Sequence, residues 1–282
     1  MNSVNWQEDL DPSQREEAAI EQPDAGLSAF RIKASQFVRT VFIACISIEI
    51  LLVLLDAALY YHRWISIPQI RRIFKITDEI SVGTWFSVTQ SFVVAALAIL
   101  VFLGLRTRGA SRLRRLGWVF IAAFFLFMSV DDAAKVHERV GSGVKTYHNS
   151  VLLETGKLTT GASFFQKWPT YAWQVVVGPF YVASALFLIF FFWREFPPWS
   201  TRLALLLGFT CWAIAVGLDF VEGVEGLHQR IADFGAMKEE TIRHFSKSAE
   251  EFIEMLGTTL FLVTFLDHFI EENEVMSIRF VR

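Results

Sequence analysis

Six long stretches of the chain are almost free of charge, and polar segments separate them. They run from Val41 to Tyr60, Trp85 to Leu105, Leu116 to Val136, Tyr171 to Trp193, Leu203 to Phe220 and Phe252 to Phe269. Each is long enough, or nearly so, to cross a hydrocarbon core about 30 Å thick as an α-helix, which takes about 20 residues. None shows the strict alternation of a barrel strand. The pattern predicts an all-α integral membrane protein, a six-helix transmembrane bundle over residues 33–270, with neither internal repeat nor soluble domain between the spans.

Before the first span, NWQEDLDPSQREEAAIEQPDAG carries seven acids against one arginine and no apolar run. Residues 1–32 therefore read as an acidic disordered tail, and residues 271–282 as a short C-terminal tail. Orientation follows the basic loops, and the densest is RTRGASRLRR, with five arginines between Arg106 and Arg115. Placing that loop in the cytoplasm puts both termini there, in a bacterial inner (plasma) membrane. Of the outer connections this implies, WISIPQIRRIFKITDEI reads as an amphipathic helix on the outer leaflet. Those at 140–169 and 229–249 are long enough to cover the mouth of the bundle.

Composition agrees with the membrane reading and removes several alternatives. Hydrophobic residues make up 53% of the 282 residues, charged residues 20%, and mean hydropathy is +0.40. That is more apolar surface than one soluble core can hide. A net charge of −3 with dispersed basic residues lacks the footprint of a nucleic-acid binder. GSGVKT at Gly141 lacks the glycine spacing of a phosphate loop, so no nucleotide site is expected. Cys45 and Cys211 sit apart inside apolar runs and indicate neither disulfide nor thiolate metal site. Phe- and Trp-rich runs such as FLIFFFW read as lipid-facing or interfacial anchors, and membrane lipid is the expected partner.

The spans are asymmetric. Fifteen residues from Leu116 to Val130 and sixteen from Leu203 to Leu218 carry no charge, and Asp131 and Asp219 follow directly. Fifteen helical residues cover about 22 Å, so these acids lie below the headgroups. Glu49 and Asp56 in the first span, and Glu250, Glu251 and Glu254 in the sixth, reach a similar depth. Buried charges cost about 2.5–3.5 kcal/mol each on insertion scales, so they should face the bundle interior and find partners there. On the sixth span Lys247, Glu250, Glu251 and Glu254 form one stripe that continues into Gly257 and Thr258. On the fifth, Asp219, Glu222, Glu225 and His228 recur every third residue, and Glu225 and His228 have the Glu-x-x-His spacing of di-iron bundles. On the third, Asp131, Lys135 and Glu138 share a face, and His137 points about 120° away.

Carboxylates with imidazole are the ligand set of Zn, Mn or non-haem Fe. The expected metal ligands are Asp132, His137, Asp219, Glu225, His228 and Glu254. Glu222 and Glu250 are the expected catalytic groups, with Glu49 and Asp56 supporting the ligands from behind or forming a proton path. This points to a divalent-metal-dependent membrane enzyme, a hydrolase or oxidoreductase acting on a lipid or other apolar substrate. A cation- or proton-coupled transporter with Glu49 as its midplane acid uses the same residues. An assembly subunit whose charges only pair, or acids at solvated helix ends, are the plainer alternatives.

Overall fold

The computed structural model describes residues 33–155 and 160–273, so the acidic tail at 1–32 and most of the C-terminal tail lie outside the described residues. All regular structure among the described residues is helical. The helices are α1 (Ala34–Leu55), α2 (Pro68–Ile73), α3 (Val82–Thr107), α4 (Arg112–Ala134), α5 (Val136–Thr155), α6 (Thr160–Lys167), α7 (Trp173–Val176), α8 (Gly178–Glu195), α9 (Trp199–Gly223), α10 (Leu227–Gly235) and α11 (Glu239–Glu272). A π-helical turn, Asp56–Tyr61, continues α1.

Five of these segments are long and apolar enough to span a bilayer: α1 with its π-turn, α3, α4, α9 and α11. The predicted segment at Tyr171–Trp193 is interrupted. Pro179 has no amide hydrogen and occupies the first turn of α8, so the chain bends at Val177 and leaves the short α7 as a separate piece. Serine caps start two of the spans. Ser81 Oγ accepts the Thr84 amide at 3.1 Å and Ser111 Oγ that of Arg114 at 3.3 Å.

The central element is α11, which packs along α1, α3 and α9. With 34 residues it is about 51 Å long, well beyond what a bilayer requires. It lies against α9 with little room to spare. A Cβ on Gly257 would stand 2.7 Å from Trp212 Cδ1 and 3.0 Å from the Gly208 carbonyl, so only glycine allows this approach.

The interior divides into two halves along α11. Toward its C-terminal end the core is aromatic, with Phe125, Phe261 and Phe265 fully buried and their ring centroids 5.4–6.3 Å apart. Leu188 and Phe192, one turn apart on α8, join this core, while Phe190 between them is 60% exposed. The FLIFFFW run is therefore not uniformly lipid-facing, because the helical period turns every fourth side chain inward. Toward the N-terminal end of α11 a small apolar cluster of Leu52, Ile76 and Met255 is accompanied by many buried polar residues: Glu49, Asp56, Gln90, Asp131, Ser248, Glu250, Thr258 and Thr259.

Candidate functional site: a buried carboxylate and ammonium cluster

Antiparallel packing of α9 and α11 brings two i,i+3 pairs face to face. Asp219 and Glu222 end α9, and Lys247 and Glu250 lie on the facing turn of α11. Lys247 Nζ stands 2.7 Å from Glu250 Oε1, 3.1 Å from Glu222 Oε2 and 3.6 Å from Asp219 Oδ1. One oxygen from each of the three carboxylates lies within 4.8 Å of the others, close enough to hold a metal ion. The second Asp219 oxygen accepts the Trp173 indole N–H at 3.0 Å and the Gln174 amide at 3.2 Å. A tethered ammonium thus sits among the oxygens that a cation would use.

Further acids lie one turn deeper. Glu251 and Glu254 on α11 are half-buried and electrostatically coupled to Asp132 on α4, which Ser87 on α3 faces. One Asp132 oxygen is buried without a hydrogen-bond donor. Three carboxylates around Lys247 together with Asp132, Glu251 and Glu254 make six acids, and beside Lys247 the nearest ammonium is Lys135, itself ion-paired with Glu79 and Glu138. So many anions in one interior require compensation by protons or by a cation.

Two smaller networks flank this cluster. Glu49 Oε1 accepts from Gln90 Nε2 at 2.9 Å and from Thr259 Oγ1 at 2.6 Å, and Gln90 also donates to Thr259 at 2.7 Å. This closed triangle joins α1, α3 and α11 deep in the bundle, with Glu49 fully buried. Asp56, also fully buried, opens the π-turn, a distortion that frequently marks functional positions. Its Oδ2 accepts from Ser248 at 2.8 Å and lies 3.0 Å from His244 Nε2, and its Oδ1 takes the Ile76 amide at 3.3 Å. The Tyr61 ring stacks on His244 at 4.8 Å.

His137 does not continue the helical phase expected for it. Lys135 takes a left-handed conformation, φ 48° and ψ 48°, which ends α4 and redirects the chain into α5. Asp131 therefore accepts both the His137 backbone N–H at 2.8 Å and its ring Nδ1 at 2.6 Å, while the Tyr181 hydroxyl donates to the same carboxylate at 2.6 Å. The His137 ring meets Trp173 edge-on at 4.7 Å, so Trp173 bridges His137 and Asp219.

The expected residues thus fall into distinct groups. Asp219, Glu222 and Glu250 converge; Asp132 and Glu254 pair one turn deeper; His137 belongs with Asp131; Glu49 and Asp56 form separate networks. Glu225 and His228 join none of them. Gly226 in the left-handed region, φ 70°, breaks the helix between them, leaving Glu225 exposed and His228 on α10 with Nε2 buried and unpartnered. The Glu-x-x-His spacing holds as a ligand pair only on a continuous helix. Gln90, Thr259, His244, Ser248, Tyr181 and Trp173 complete the networks. Of these, Gln90 had a sequence signal, as a lone amide inside the apolar run from Trp85 to Leu105.

No curated protein and no solved structure matches the chain. Residues 45–269, which include all of these groups, match one family model, and the chain belongs to that family, described as a domain of unknown function, DUF8692.

Proposed function

We propose that this protein is a cation- and proton-coupled membrane transporter in which Lys247 acts as an internal cation that an arriving cation displaces. The observation that carries the reading is the Lys247 ammonium within 3.6 Å of all three members of the carboxylate triad. A cation reaches Asp219, Glu222 and Glu250 only by moving Lys247. The cluster then keeps its charge only if protons leave neighbouring acids as the cation enters. Oxygen-only ligands suit hard cations such as Na⁺, Mg²⁺, Ca²⁺ or Mn²⁺. From Thr259 to His244 the polar stripe of α11 extends about 22 Å, so Glu49 supplies a deep titratable group and Asp56 with His244 a station near its other end.

The reading takes α8 as a sixth span and both termini as cytoplasmic, on the strength of the arginines between Arg106 and Arg115. With Cys45 and Cys211 replaced by Ala, an impermeant maleimide applied to intact cells should modify Ser142→Cys and spare Thr107→Cys. The opposite pattern would reverse the orientation.

A second reading, a metal-dependent enzyme acting on an apolar substrate, draws on the convergence of the triad itself. The two differ in what the purified protein retains and moves. In proteoliposomes, pulses of Na⁺, Mg²⁺, Ca²⁺ or Mn²⁺ should drive proton movement in the opposite direction. Absence of proton movement with every cation, together with stoichiometric Zn, Mn or Fe that survives dialysis, would overturn transport in favour of the enzyme.

A further inference from the structure

The end of the bundle away from the carboxylate cluster holds a cleft of about 420 Å³. That is the size of a small-molecule site. Its walls come from the start of α4, the α8–α9 connection and the last two turns of α11, and its charge is unbalanced. Four carboxylates, Glu195, Asp267, Glu271 and Glu272, line it together with the single guanidinium of Arg114.

Arg114 is already committed to two of them. Its Nε donates to both Glu195 oxygens at 2.8 and 2.9 Å, and its terminal nitrogen to Glu272 Oε1 at 2.8 Å. Arg108 takes the other Glu272 oxygen at 2.5 Å. The Trp118 indole donates to Glu195 at 2.9 Å, which completes that carboxylate's set. Asp267 and Glu271, one helical turn apart on α11, have no cationic partner among the described residues.

His268 supplies an independent sign of an unfilled requirement. It is 8% exposed, lines the cleft and stacks against Trp118 at 5.4 Å, with its plane within 9°. Its Nε2 is buried without a hydrogen-bond partner, because Glu195 Oε1 at 3.4 Å is poorly aligned for one. Phe196, Pro197 and Pro198 add apolar lining, with the Phe196 ring edge-on to His268 at 4.8 Å.

We propose that this cleft binds an organic ammonium ion, with the charge held by Asp267 and Glu271 and a short apolar body set against the Phe196–Pro198 wall. A bare metal ion fits less well. Among the described residues, Asp219, Glu222 and Glu250 are the group of three acidic or imidazole ligands that converges, and it lies elsewhere. An aliphatic ammonium, by contrast, is held by dispersed carboxylates without a fixed coordination geometry.

The same chemistry is offered by a free amine and by the choline or ethanolamine head of a phospholipid. Two arms separate them. In detergent, choline chloride titrated onto the full chain should raise the thermal midpoint, with a Kd weakened about tenfold in Asp267→Asn/Glu271→Gln, the loss of two partly exposed charge contacts. In nanodiscs, phosphatidylcholine should stabilise the wild type over phosphatidylglycerol, and that difference should shrink in the same variant. Stabilisation by choline assigns the site to a free amine, and stabilisation by phosphatidylcholine alone assigns it to a lipid head. Equal responses of wild type and variant in both arms, or no response in either, would overturn the proposal. Should the double variant fail to fold, Glu271→Gln alone, at an exposed position, carries the same comparison.

Discussion

Replacing Lys247 by Met should destabilise the protein by about 3–5 kcal/mol, because it leaves Asp219, Glu222 and Glu250 facing one another without a cation. For a chain of this size that corresponds to a fall on the order of 10 °C in thermal midpoint in detergent. The cost comes from the stranded anions rather than from lost packing, since Met retains most of the aliphatic stem. Neutralising the anions should therefore restore much of the loss, and Lys247→Met/Glu222→Gln/Glu250→Gln is expected to unfold close to the wild type. The same single variant separates cation exchange from a purely structural ion pair. With the tethered ammonium gone, millimolar Ca²⁺ or Mn²⁺ should recover several degrees in Lys247→Met and change the wild type little, because stabilisation by a ligand scales with its affinity for the folded state. Recovery in neither protein would mean that the triad is a structural salt-bridge cluster, and the transport reading would fall with it.

Glu49→Gln should leave the folded yield and thermal midpoint nearly unchanged and abolish coupled proton movement in proteoliposomes. Both bonds to Glu49 are accepted by Oε1, from Gln90 and Thr259, and a Gln carbonyl oxygen accepts them equally well. Oε2 has no partner in the native protein, so the new amide nitrogen displaces no existing bond. What the substitution removes is titration at the deepest acid of the bundle. Glu49→Leu should behave differently: it leaves part of the Gln90 and Thr259 bonding unmet and costs about 1–3 kcal/mol. Full proton movement in a well-folded Glu49→Gln protein would remove Glu49 from the path and confine the chemistry to the cluster around Lys247.

The location of the acids is readable along the chain because apolar run length converts directly into membrane depth. Fifteen or sixteen uncharged residues fall short of about 30 Å, which places Asp131 and Asp219 inside any bundle that spans the bilayer, and in the structure Asp131 is buried and Asp219 half-buried. The stripe of Lys247, Glu250, Glu251 and Glu254 follows from helical periodicity alone, and the candidate spans follow from the length of the apolar runs, since every backbone group in a long apolar helix is satisfied within its own segment. Span number is less legible. Pro179 breaks the run at Tyr171–Trp193, and hydropathy does not register a missing amide hydrogen.

Which acid meets which partner depends on contacts between residues far apart in sequence. Glu49 lies 41 positions from Gln90 and 210 from Thr259, and no local pattern couples them. Lys247 reads in the sequence as one member of a stripe on α11. Only the close approach of α9, permitted by glycine at position 257, sets its ammonium among Asp219 and Glu222. Backbone geometry accounts for the rest. The left-handed residue Lys135 folds His137 back onto Asp131, and Gly226 separates Glu225 from His228, so a regular helical projection misplaces both histidines. Periodicity holds while φ and ψ stay helical, and the turns that end a helix are stabilised by tertiary bonds that the spacing of residues does not contain.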